Sequence, residues 1–129
     1  FSDGVNVNFG HILGHNKLFV KTFERGVGFT NACGTGMSAT SLALALTHPD
    51  ATSFNEPISV YNPGGMVKTI LHRDDYNYWI ELIGNATFTH TLTVDESSLH
   101  AVDLADLRKN VVESNENQAY QTFVDSLSF

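Results

Sequence analysis

Cysteine is almost missing from this chain of 129 residues: there is one, Cys33. A single thiol excludes an intramolecular disulfide framework and fits a reducing compartment, so a cytoplasmic protein is expected. Basic residues are also scarce, seven against fourteen acidic ones, for a formal net charge of −7. That balance argues against nucleic acid and against an anionic membrane surface as partners. The six histidines are scattered, with no tight spacing to Cys33 or to a carboxylate, so no metal site is expected. Long apolar runs are lacking too. The longest, about Ala39 to Leu46, is short and broken by Ser and Thr, so neither a membrane span nor a signal peptide is expected within these residues. The first residues are Phe1-Ser2-Asp3 rather than an initiator Met, as expected of a fragment or a processed chain.

Charge disappears altogether over one stretch. No Lys, Arg, Asp or Glu occurs from Val27 through Pro49, directly after the adjacent pair Glu24 and Arg25. Inside this silence lies Asn31-Ala32-Cys33-Gly34-Thr35-Gly36, followed by a run rich in Ala and Leu. Ala and Leu are strong helix formers, so a helix is expected from about Gly34 to Thr47, ended by His48-Pro49-Asp50. Gly34 and Gly36 let the main chain approach a ligand with no Cβ in the way. The first turn of such a helix carries unpaired N–H groups and a partial positive charge. A carboxylate or phosphate would sit well there, beside the one sulfur. A lone cysteine is more often a small buried hydrophobe, and it is the glycines and the helix start that raise a functional reading. A nucleophile elbow fits poorly, because Asn31 stands where its first Gly belongs.

The rest of the chain reads as strands. Residues 5–13 alternate loosely, and Lys17 to Glu24 alternates well, with Leu18, Val20, Thr22 and Glu24 on one face. Ile58–Tyr61 and Met66–His72 flank the turn Asn62-Pro63-Gly64-Gly65, and Tyr76–Ile83 and Ala86–Val94 follow. A helix with no polar stripe is buried on nearly all sides. The expected fold is therefore α+β, a curved sheet wrapped around a buried central helix. Leu99, Val102, Leu107, Val111 and Val112, and then Tyr120, Phe123, Val124 and Leu127, are expected on one or two amphipathic helices. The expected division is a domain over 1–96 and a helical extension over 97–129 packed on it.

The stretch Glu24-Arg25-Gly26-Val27-Gly28-Phe29-Thr30-Asn31-Ala32-Cys33-Gly34-Thr35-Gly36 resembles the second signature of the diaminopimelate epimerases, cofactor-independent enzymes of lysine biosynthesis. Shorter pieces agree in order: Val5-Asn6-Val7-Asn8-Phe9, Pro63-Gly64-Gly65 and Leu82-Ile83-Gly84-Asn85-Ala86. The resemblance covers roughly residues 1 to 95 and implies that the α+β fold is a curved, largely antiparallel, barrel-like sheet around the buried central helix. Departures are Phe29 where the family usually has Glu, Asn85 for the common Pro, and Asn8 for a small or apolar residue. It implies that Cys33 is one of two catalytic acid/bases and that the Gly34 and Thr35 N–H groups hold the reacting carboxylate. It further implies that Arg25 and Asn6 bind the distal carboxylate and Glu24 the distal ammonium. The substrate would be diaminopimelate, with no cofactor. The family has two similar halves with one cysteine each, so the chain resembles the C-terminal half and is expected to be inactive without its N-terminal half. The tail beyond it is expected to serve either a homodimer contact or docking to that half. A related racemase or isomerase acting on another amino acid, a carboxylate-binding module with an inert Cys33, and a cysteine hydrolase are the alternatives. No local signature orients a His toward Cys33 as the last would need.

Overall fold

The structure, a computed structural model, describes residues 2–100 and 109–128. Strands β1 (Val7–Gly14) and β2 (Lys17–Glu24) form a hairpin whose turn places Asn16 at φ 52°. The alternation of β2 becomes a division of faces: Leu18, Val20 and Thr22 are buried, while Lys17, Lys21 and Phe23 are exposed. The chain then turns through Gly26 into the short strand β3 (Gly28–Thr30), which pairs antiparallel with the end of β2. Helix α1 (Gly34–Thr47) follows, and β4 (Pro57–Asn62) returns parallel to β2 with Leu18 opposite Val60. A parallel pair cannot be joined by a tight turn. The excursion through β3 and α1 supplies the crossover and lays α1 across one face of the sheet. β5 (Gly65–Arg73) and β6 (Tyr78–Ile83) complete an antiparallel meander, giving the order β1-β2-β4-β5-β6 with β3 beside β2.

The core lies between α1 and this sheet. Leu18, Val20, Ile58, Val60 and Leu71 meet Met37 and Ala45 of the helix, with Ile12, Leu42, Leu44, Phe54, Val67 and Ile80 around them. Buried hydroxyls of the helix are satisfied locally: Thr40 and Ser41 each donate to the carbonyl four residues earlier, and Thr69 Oγ1 donates to Ser41 Oγ at 3.0 Å. This explains how a helix so rich in Ser and Thr can present them to a core. Among the described residues the sheet is open and not a closed barrel. It is mixed, and among the described residues of the α1-bearing sheet unit α1 is covered on one flank only. Ala39, Ala43, Leu46 and Thr47 are exposed, so the absence of a polar stripe does not here mean burial all round.

Phe29 faces away from α1. Paired with Phe23, it shares the outer face of the sheet, with ring centroids 5.3 Å from Phe23 and 6.2 Å from Phe9. Lys21 Nζ lies 4.7 Å from its centre.

Contacts divide the chain after Asn85. In the second unit β7 (His90–Val94) pairs antiparallel with β8 (Lys109–Glu113), joined in sequence by α2 (Glu96–His100) and residues outside the described set. Helix α3 (Glu116–Asp125) follows, with Phe88 N–H donating to Glu116 Oε2. Val111 and Val112, expected on a helix, lie instead in β8. β-branched neighbours favour a strand, and β7 offers the matching edge. Val102 and Leu107 of that expected helix lie outside the described residues. No helix among the described residues is long and apolar enough to cross a membrane.

Candidate active site

Cys33 is the N-cap of α1, with extended backbone (φ −151°, ψ 95°) and a half-buried side chain that makes no capping bond. Its sulfur lies 3.6 Å from Thr35 Oγ1. Its carbonyl accepts the first helical bond, from Met37 N–H at 2.9 Å. The N–H groups of Gly34, Thr35 and Gly36 precede that bond and so have no acceptor within the helix. No acidic side chain of the first turn offsets the partial positive charge of this end. A sulfur and a set of backbone donors therefore stand side by side, as an anion next to a proton-transfer group would require.

The sheet fixes where this helix begins. Thr22 Oγ1 donates to Asn8 Oδ1 at 2.8 Å, and the two residues are directly opposed in the β1–β2 register. A Cβ on Gly36 would fall on Asn8 Oδ1 and lie 3.1 Å from Thr22 Oγ1. Only glycine lets the helix settle so closely on that pair. Two residues beyond Asn8 and Thr22 come Asn6 and Glu24, which puts both at the sheet end beneath the helix start.

Each of these is held by a named partner. Glu24 Oε1 accepts a hydrogen bond from Thr30 Oγ1 at 2.7 Å. The two are diagonal neighbours on one face of the β2–β3 pair, within reach across strands. Asn6 Oδ1 accepts the Arg25 backbone N–H at 2.8 Å, a bond that does not use the Asn6 N–H₂ group. The Arg25 side chain is exposed, with Nη1 donating to the Asp3 carbonyl at 3.1 Å. A carboxylate, an amide donor and a guanidinium thus gather around the turn from β2 to β3, and Cys33 follows β3 by three residues.

Sequence reasoning passed over Thr30, Asn8 and Thr22 as parts of this arrangement. For Thr30 a signal exists: folding the chain back at Gly26, whose φ is +76°, brings Thr30 against Glu24. For Asn8 and Thr22 none exists, because their pairing depends on where α1 lands.

The family description "Diaminopimelate epimerase" matches residues 1–89. Among curated relatives, the diaminopimelate epimerase of Lactiplantibacillus plantarum is 52% identical over 99% of this chain and 38% of its own length. That of Enterococcus faecalis is 49% identical over the same shares, and that of Ligilactobacillus salivarius 48% identical over 98% of this chain and 39% of its own length. The chain therefore spans well under half the length of the relatives it matches. With the match running from the first strand past the sixth and taking in the whole Glu24–Gly36 signature, the chain belongs to the diaminopimelate epimerase family.

Proposed function

We propose that this chain is the C-terminal part of a diaminopimelate epimerase, supplying one of two cysteines that interconvert LL- and meso-diaminopimelate by proton transfer. Inverting a Cα centre needs a group to remove the proton on one face and another to return one on the opposite face. Cys33 is the group on one face. The α-proton is very weakly acidic, so the carbanion needs stabilisation, and N–H groups of Gly34 and Thr35 aimed at the α-carboxylate provide it. Exclusion of water strengthens those contacts and prevents stray protonation. At the end that does not react, Arg25 and Asn6 take the distal carboxylate and Glu24 the distal ammonium. An anchor of each sign suits a diamino diacid, and the guanidinium fork can bind both carboxylate oxygens. No cofactor enters this chemistry.

The observation that carries the reading is the position of Cys33 at an uncapped helix start, with Asn6, Glu24 and Arg25 gathered at the adjoining sheet end. The second cysteine belongs to the N-terminal half of the same enzyme, which also completes the fold. We place it, with the rest of the longer protein, over the open flank of α1 and the free edge of β1, so that the sheet curves around an enclosed helix. Residues 1–96 hold every assigned group. Residues 97–129 add an extension for contact with a second subunit or with that N-terminal half. The compartment would be the cytoplasm.

The test is a replacement. This chain is substituted for the matched part of the Lactiplantibacillus plantarum relative, and interconversion of the diaminopimelate isomers is assayed beside the chain alone. Activity is expected from the chimera, none from the chain alone, and none from the chimera carrying Cys33→Ala. Turnover by the isolated chain, or activity that survives Cys33→Ala, defeats the proposal.

A further inference from the structure

One buried polar side chain near Cys33 has no part in the reading above. Asn62 closes β4 and is 5% exposed, immediately before the turn Pro63-Gly64. Its Nδ2 donates to Met37 Sδ at 3.0 Å, and its Oδ1 accepts the Gly64 N–H at 3.0 Å. The same Gly64 N–H reaches the Asn31 carbonyl at 2.8 Å. Gly64 sits so close that a Cβ there would lie 2.8 Å from that carbonyl oxygen. Asn31 precedes Cys33 by two residues. Met37 follows it, and the Met37 N–H bonds to the Cys33 carbonyl. The β4–β5 turn therefore grips the chain on both sides of Cys33, the loop before it and the helix after it. A buried amide satisfied at both ends specifies one arrangement, because displacement would leave a polar group unpaired away from water.

We propose that Asn62 is a positioning residue, which keeps the Cys33 sulfur aligned with the free N–H groups of α1 by tying the β4–β5 turn to Asn31 and Met37. The proposal rests on the reading of Cys33 as the acid/base group. Asn62 itself touches no reacting atom and acts through Gly64 and Met37. Leucine is of similar size but has neither donor nor acceptor, so Asn62→Leu removes the bonds to Met37 and Gly64 and loosens the grip to the one backbone bond between Gly64 and Asn31, while keeping the core filled.

The experiment uses the 129-residue chain. Two quantities are measured: the rate of Cys33 alkylation by iodoacetamide near neutral pH, and amide hydrogen exchange residue by residue. Wild-type Cys33 is expected to react faster than free cysteine, as a thiol beside the unpaired N–H groups of a helix start should if it is the acid/base group. Asn62→Leu is expected to slow it about threefold, the scale on which a helix-end field acts. The amides of Gly64 and Met37, which bond the Asn31 and Cys33 carbonyls, should exchange faster while those of β2 and β5 stay protected. Met37→Leu, a volume-conserving swap, should show the same pattern more weakly, and serves as the probe if Asn62→Leu does not fold. Folded variants with unchanged alkylation and unchanged local exchange overturn the proposal even if they melt earlier, since a packing role alone would lower stability in that way. A wild-type Cys33 no faster than free cysteine defeats the acid/base reading instead, and the exchange pattern then still decides whether the grip exists.

Discussion

Thr30 holds Glu24: its hydroxyl donates to the carboxylate across 2.7 Å, from the far strand of a three-residue pairing. In the proposed function Glu24 receives the distal ammonium, and a carboxylate in that role would gain from being fixed in advance, because the ligand then need not order it. Thr30→Val keeps the shape and removes the donor. Losing one such bond costs about 1 kcal/mol, roughly a fivefold weakening. In the chimera with the Lactiplantibacillus plantarum relative, KM for diaminopimelate should rise by that factor while kcat moves less. An unchanged KM would remove Thr30 from the account.

Gly36 offers a sharper steric test. Its missing Cβ is occupied by Asn8 Oδ1. Gly36→Ala must push the helix start off the β1–β2 pair, at about 1 to 3 kcal/mol of stability. Asn8→Ala alone should cost less, and the double variant should recover part of the loss. Denaturant unfolding of the four proteins measures the coupling. Simple additivity would show that the two positions do not meet.

Cys33 stands at a helix position where serine is preferred on structural grounds. Its side chain makes no capping bond, and its backbone is already extended as an N-cap requires. Cys33→Ser should therefore stabilise the isolated chain by about 0.5 to 1 kcal/mol. The same change in the chimera should lower kcat by about a hundredfold or more, because a hydroxyl is a far weaker acid than a thiol. Melting curves and turnover taken together test this opposition of effects.

Asp74 predicts a pH dependence remote from the site. Its carboxylate accepts the N–H groups of Tyr76 and Asn77, at 2.9 and 2.8 Å, and these hold its pKa below the ordinary 3.8. The folded value is thus depressed relative to the unfolded one. The turn between β5 and β6 gains stability that is fully present above about pH 4 and is lost as pH falls through the folded pKa. An NMR titration of Asp74 should give a midpoint below 3.8. Asp74→Ala should remove the acid-induced shift of the Tyr76 and Asn77 amides.

Much of this architecture was legible in residue order. The alternation in Lys17–Glu24 gave the buried face of β2, and the Ala/Leu run gave α1 with both ends in place. The glycines around Cys33 mark the helix start as unusual by composition alone. Other features depend on contacts that no local pattern records. Val111 and Val112 fit a helical face by their spacing from Leu99, Val102 and Leu107, and only the pairing with β7 makes them a strand. Asn62 looks like an ordinary turn residue, and only the arrival of Met37 over it reveals a buried amide. Phe29, adjacent in sequence to the signature's core, proves to face the opposite side of the sheet, since neighbouring strand residues alternate.

The bare beginning of α1 has a thermodynamic corollary. A carboxylate seated on the Gly34 and Thr35 amides would do the work that a Ser or Asp side chain does at most helix starts, so the ligand itself finishes the helix. Occupancy and folding then become one linked equilibrium. A dicarboxylic amino acid that binds should raise the melting temperature with its concentration, whether or not any proton is ever exchanged.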